Sequence, residues 1–158
     1  MKIITEPDER LRVVSEPIED FGKKFKDLVY GMMRTLRKDS KGIGLSAIQV
    51  GVPKRVFIVK DGRRSLVFAN PKLTFPEGNV NILQEEGCLS IPGVFHKVGR
   101  PKLVEVEAYD VLGRKFHMEA DWLLSRIIQH EYDHLEGILF TDHLVDGQQV
   151  ELERQEGL

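Results

Sequence analysis

The sequence predicts an α+β fold, with short antiparallel strands accompanying two helices, and three observations carry that reading. Residues 55–60 and 65–70 are strand-like runs on either side of Asp61-Gly62, a dipeptide suited to a tight hairpin turn. Within residues 103–110, Val104, Val106 and Ala108 alternate with Glu105, Glu107 and Tyr109, the pattern of a strand with one buried and one wet face. Two other segments space their apolar residues helically: Phe21, Phe25, Leu28, Val29, Met32 and Leu36 in one, Leu123 and Ile127 leading to His130 in the other.

Taken in order, the chain opens on a Pro-containing segment that reads as extended, followed by an amphipathic helix ending near Asp39, in which Met32 and Met33 are read as core packing. Residues 42–51, Gly42-Ile43-Gly44-Leu45-Ser46-Ala47-Ile48-Gln49-Val50-Gly51, are small-residue rich. The paired glycines let another backbone or a substrate approach the main chain, and the spacing is that of neither a P-loop nor a dinucleotide fingerprint. The hairpin follows, its loop expected to be widened by the adjacent arginines. Further strands are expected at residues 72–75 and 80–85, with Gly78 and Gly113 as turns and residues 114–118 returning along residues 103–110. Residues 85–92 read as a loop. A second helix of roughly 16 residues is expected between Asp121 as N-cap and Gly137 as its C-terminal stop. From about residue 146 the chain reads as a short acidic tail.

At 158 residues, 41% hydrophobic and 30% charged, the chain is expected to form one domain over 1–158 with a full core. The 23 Lys and Arg against 25 Asp and Glu, a net charge of −2, argue against a nucleic-acid partner. No apolar run of signal-peptide or membrane length opens the chain, and the single cysteine, Cys88, excludes an internal disulfide. A cytoplasmic protein is expected.

The chemistry concentrates in His130-Glu131-Tyr132-Asp133-His134. Residues four apart share a helix face, so His130 and His134 can bind one metal ion, while Glu131 stands where a general base is needed without being a ligand. Two histidines do not hold a catalytic metal tightly, and a third ligand is required. By itself Cys88 reads as a small buried apolar residue. Beside a helix lacking a third ligand, and next to Gly87, it is also a candidate thiolate ligand. His96, His117 and His143 have no partner at ligand spacing.

Three segments together, residues 42–49, Glu86-Gly87-Cys88-Leu89-Ser90 and residues 130–134, resemble the three motifs of the peptide deformylases, in the family's order and at similar separations. The likeness extends from the first residues to about Leu144. It implies antiparallel sheets around a central helix carrying the histidines, and removal of the formyl group from the N-terminal methionine of new polypeptides. It implies metal ligation by Cys88, His130 and His134, proton transfer by Glu131, and donation to the substrate oxygen by the Gln49 amide and the Leu89 N–H. The implied metal is ferrous iron, with zinc, nickel or cobalt as substitutes. Ile43, Gly44, Glu86, Gly87, Leu123 and Ile127 are the expected substrate contacts, Leu123, Ile127 and Ile43 forming an apolar wall for a methionine side chain. Two departures stand out. Ser46 replaces the family's usual alanine, adding a hydroxyl that needs a partner if buried and leaves Gln49 unaffected. The acidic tail differs from the basic terminal helix with which some members dock on the ribosome, so any ribosome contact is expected to be transient. A His-Glu-x-x-His endopeptidase and a non-catalytic metal-binding module are the competing readings. The first usually takes a downstream third ligand, and the second needs neither base nor amide donor.

Overall fold

A computed structural model describes residues 1–143. Two helices, α1 (Lys23–Arg37) and α2 (Trp122–Leu135), accompany seven strands: β1 (Gly44–Ser46), β2 (Val56–Asp61), β3 (Arg64–Thr74), β4 (Asn81–Cys88), β5 (Ile91–Pro101), β6 (Leu103–Tyr109) and β7 (Lys115–Asp121). An antiparallel sheet runs β1-β2-β3-β6-β7, and β4 and β5 pair as a separate hairpin. Strands of both sheets pack on α2, namely β1, β2, β6 and β7 of the large one and β5 of the hairpin. The acidic tail expected from about residue 146 lies outside the described residues.

β2 explains how both helices are held. Its Val56 and Ile58 pack with Phe25, Val29, Met32 and Leu36 of α1, whereas Phe57 and Val59 join Ile127, Ile128 and Leu135 of α2. Successive strand residues face opposite ways, so a strand covered by a helix on each face must be apolar at every position. Each such side chain contributes about 1.5–3 kcal/mol on burial. The alternation read in residues 103–110 also holds: Val104, Val106 and Ala108 are buried.

Several local expectations change. Asp61 pairs with Arg64, so the hairpin turn is only Gly62-Arg63 and the arginines do not widen it. Residues 65–70 and 72–75 merge into the single strand β3, whose register breaks between Ala69 and Lys72, where Asn70 takes φ 48° ahead of Pro71. There the Asn70 side chain exchanges hydrogen bonds with the backbone of Ile18, at 2.7 and 2.9 Å. β4 runs on to Cys88, and β5 occupies a stretch in which no strand was expected. Its Pro92, Gly93 and polar residues hide the alternation, because a two-stranded hairpin buries little of itself. Asp121 stands at the N-cap but makes no capping bond; it is already paired with Leu103 as the last residue of β7. The helix starts directly after Asp121 and is 14 residues long, with Gly137 just past its C-cap Glu136 at φ 73° as the expected stop.

Candidate active site

Cys88 Sγ and one ring nitrogen from each of His130 and His134 lie within 4.8 Å of one another, and the thiol is 3.4 Å from His134 Nε2. α2 supplies both histidines on one face. The thiol comes from the end of β4, not from a free loop. Cys88 pairs with Ile91, which makes Leu89-Ser90 the hairpin tip. The N-terminal segment ties this tip to residues 42–51: the Ile4 N–H donates to the Gln49 carbonyl at 2.7 Å, and the Glu6 N–H to the Ser90 carbonyl at 2.8 Å.

Behind His130 lies a buried charge network. Glu86 accepts from His130 Nδ1 at 2.8 Å, from Arg100 Nη2 at 2.9 Å and from Arg126 Nη1 at 2.6 Å. Burial pushes the Glu86 carboxyl up, but the hydrogen bonds from His130 and Arg100 outweigh it and hold the group well below the usual carboxylate range. With Nδ1 committed to Glu86, Nε2 is the nitrogen His130 offers to a ligand. Arg100 continues to Asp133 at 3.0 Å, and His143 bonds Asp133 at 2.8 Å.

The cluster could hold a cation. Burial holds His134 neutral, as ligation requires. His130 is pulled down by burial yet pushed up to about 10, because Cys88, Glu86 and Glu131 together favour a positive charge beside them. A soft sulfur and two imidazoles are a donor set that would suit a divalent transition metal, which would supply that charge.

A cleft of about 500 Å³ opens over the cluster. Its walls include Ile43, Gly44, Gln49, Glu86, Gly87, Cys88, Leu89, Leu123, Ile127, His130 and Glu131, so of the expected site residues only His134, 1% exposed, lies off the wall. Ile43 and Leu123 stand exposed on it, while Ile127 is buried. Glu86 lines the cleft, but its carboxylate is taken up by the network behind His130. The glycines serve neighbouring side chains: a Cβ on Gly44 would meet Glu131 Oε1 at 2.7 Å, and one on Gly87 the Phe95 ring at 2.6 Å.

Glu131 is buried, and burial raises its pKa against the opposing effects of His130 and Ser46. Ser46 Oγ lies 2.8 Å from Glu131 Oε2, so the added hydroxyl finds its partner there. Gln49 is oriented by backbone instead: its Oε1 accepts from the Ser46 N–H at 2.9 Å, turning Nε2 to Ser90 Oγ at 3.1 Å and Cys88 Sγ at 3.6 Å. Among the described residues the Leu89 N–H has no backbone acceptor. Sequence reasoning missed Arg100, Arg126, Ser90 and Phe95. Arg126 precedes His130 by four and was detectable by that spacing; Arg100 and Phe95 sit on the unexpected strand β5.

An α+β fold presenting a cysteine, two histidines and a buried glutamate to one cleft defines a metal-dependent hydrolase. Comparison with known proteins gives the family. Residues 1–150 match the family described as polypeptide deformylase. The peptide deformylase of Pelagibacter ubique is 42% identical over 147 residues, covering 90% of this chain and 84% of that one. Peptide deformylase 1 of Clostridium perfringens is 44% identical over 138 residues, covering 86% and 92%. Among solved structures, the peptide deformylase of Synechococcus elongatus in complex with actinonin superposes with a TM-score of 0.86 at 37% identity, over 92% of this chain and 79% of that one. This chain belongs to the polypeptide deformylase family, metal-dependent hydrolases that remove the N-formyl group from newly made polypeptides. No helix among the described residues is long and apolar enough to cross a membrane.

Proposed function

We propose that Cys88, His130 and His134 hold one divalent metal, ferrous iron in the first place and zinc, nickel or cobalt as substitutes, for hydrolysis of N-formylmethionyl peptides in the cytoplasm. The observation that carries this reading is the meeting of three donors, a buried carboxylate and an oriented amide at one cleft. When bound, the metal supplies Lewis acidity and lowers the pKa of water toward neutrality. Glu131 takes the proton from the attacking water and returns it to the leaving amine, a task suited to a carboxyl whose proton affinity is raised. Gln49 Nε2 and the Leu89 N–H donate to the oxyanion, each worth about 3 kcal/mol by the scale of other such donors. Thiolate ligation suits ferrous iron and makes the site sensitive to oxygen.

The methionine side chain rests against Leu123, Ile127 and Ile43, all on the cleft wall. The peptide backbone pairs beside β1. That strand is the edge of the five-stranded sheet, so an added strand has somewhere to bind. Gly87 lies along the same wall, whereas Glu86 serves by fixing the His130 ring. Release of formate from a formyl-Met peptide by protein loaded anaerobically with iron or nickel tests the activity; no release would reject the reading. Cys88→Ser should lose metal or change its preference by elemental analysis, and full retention with unchanged activity would remove Cys88 from the site.

Contact with the ribosome is best supported away from the tail. Residues 23–72 hold thirteen of the 23 basic residues and three of the 25 acidic ones, so the near-neutral total hides a basic segment. Arg37, Lys60, Arg63 and Arg64 surround one cavity of about 290 Å³. Although Arg64 pairs with Asp61 at 3.7 Å and Lys60 donates to the Asp39 carbonyl at 2.7 Å, the basic excess there is a surface for RNA phosphates. Ribosome binding should weaken with added salt and in Arg37→Glu/Arg63→Glu, with kcat/KM on a free peptide unchanged. Equal binding by the variant would exclude this face.

A further inference from the structure

We propose that Ser46 is a positioning residue for Glu131, its hydroxyl fixing the carboxylate throughout the proton transfer. The inference rests on Glu131 as the proton carrier. Ser46 is 0% exposed and ends β1. Its Oγ lies 2.8 Å from Glu131 Oε2 and 2.9 Å from the Glu131 backbone carbonyl, a contact made across 85 residues of chain.

A hydroxyl has one proton to donate and two lone pairs with which to accept, so Oγ cannot donate to both oxygens at once. With Glu131 ionised, Oγ–H donates to Oε2. When the proton arrives on Oε1, Oε2 stays an acceptor and that bond persists. When it arrives on Oε2, the new O–H donates to Oγ and the serine proton turns to the backbone carbonyl 2.9 Å away. Each state therefore keeps Oε2 and the serine hydroxyl partnered without moving a heavy atom, and the second acceptor makes the last state available.

The other carboxylate oxygen is held by shape. A Cβ on Gly44 would fall 2.7 Å from Glu131 Oε1, so the carboxylate is seated where that glycine leaves room. Gly44 and Ser46 alternate along β1 and share one of its faces, while Leu45 between them enters the core under α1. One strand face thus fixes both oxygens of the proton carrier. Ser46 itself is absent from the cleft wall, so its effect should fall on turnover and not on substrate binding.

The test is Ser46→Ala in the metal-loaded enzyme with a formyl-Met peptide. Expected are a kcat lowered about tenfold, the rate equivalent of one hydrogen bond to a charged group, KM within about twofold, and unchanged metal per chain by elemental analysis. The second arm repeats the substitution in Glu131→Gln, where it should cost less than about twofold, because the ionisable partner is gone. Native kcat in Ser46→Ala, a loss accompanied by raised KM or lost metal, or an equal cost in both backgrounds would overturn the proposal. Near-normal turnover by Glu131→Gln alone would instead overturn the proton-carrier reading on which it rests.

Discussion

The regions around Glu86 and Glu131 meet at His130 and use the same side chain in opposite ways. Glu86 is surrounded by donors, two arginines and an imidazole, and its proton affinity is driven down. Glu131 is as deeply buried but faces one hydroxyl and a cleft, and burial drives its proton affinity up. Counting donors around each carboxylate separates a fixed anion that orients a ligand from a carboxyl that can carry a proton.

That contrast is broken most severely at Glu131. Glu131→Gln should lower kcat by roughly 10²–10⁴-fold, the scale of general acid–base catalysis, while leaving metal content intact. Since the folded-state pKa of Glu131 is raised, ionising it costs the folded protein stability as pH rises, so the amide should melt no lower than the native chain at neutral pH. A steady-state assay beside a thermal melt checks both.

Glu86→Gln should do the reverse. It leaves Arg126 buried without an anion and Arg100 with only Asp133, and should cost about 3–5 kcal/mol in denaturant unfolding, the usual cost of removing one partner of a buried charge network. The depressed pKa of Glu86 gives stability that is fully present above its ordinary value of 4.5 and lost as pH falls below it. The native chain should therefore lose stability below about pH 4.5 more steeply than Glu86→Gln. Parallel acid profiles would show that the network carries no such linkage.

A smaller effect is expected from a carboxylate placed in the substrate wall, where neither environment exists. Native enzyme should favour formyl-Met over formyl-Ala peptides by roughly tenfold in kcat/KM, and Ile127→Asp should erase most of that preference. An equal preference in both proteins would remove this face of α2 from the methionine pocket.

The parts read most directly from the sequence are those governed by local repetition. The four-residue spacing of His130 and His134 fixes their common helix face with Glu131 beside it, and the apolar run Val56-Phe57-Ile58-Val59 marks a strand without a wet side. β5 was not legible, because Pro92, Gly93 and its polar positions carry neither period, and with it went Arg100 and Phe95. Asp121 does stand at the N-cap as the sequence assigns it, but it also ends β7, paired with Leu103, and its side chain makes no capping bond.

By itself, then, the sequence determined the donor types, which are residue identities, and the shared histidine face and the apolar faces, which follow from the 3.6- and 2-residue periods of the chain. Cys88 was recognisable as a candidate, but only the packing of the β4–β5 hairpin against α2 brings its sulfur within 3.4 Å of His134. The opposite roles of Glu86 and Glu131, and the contact of Ser46 with Glu131, were likewise decided by tertiary structure. A buried carboxylate takes its proton affinity from whichever donors the fold places against it, and those donors come from distant parts of the chain.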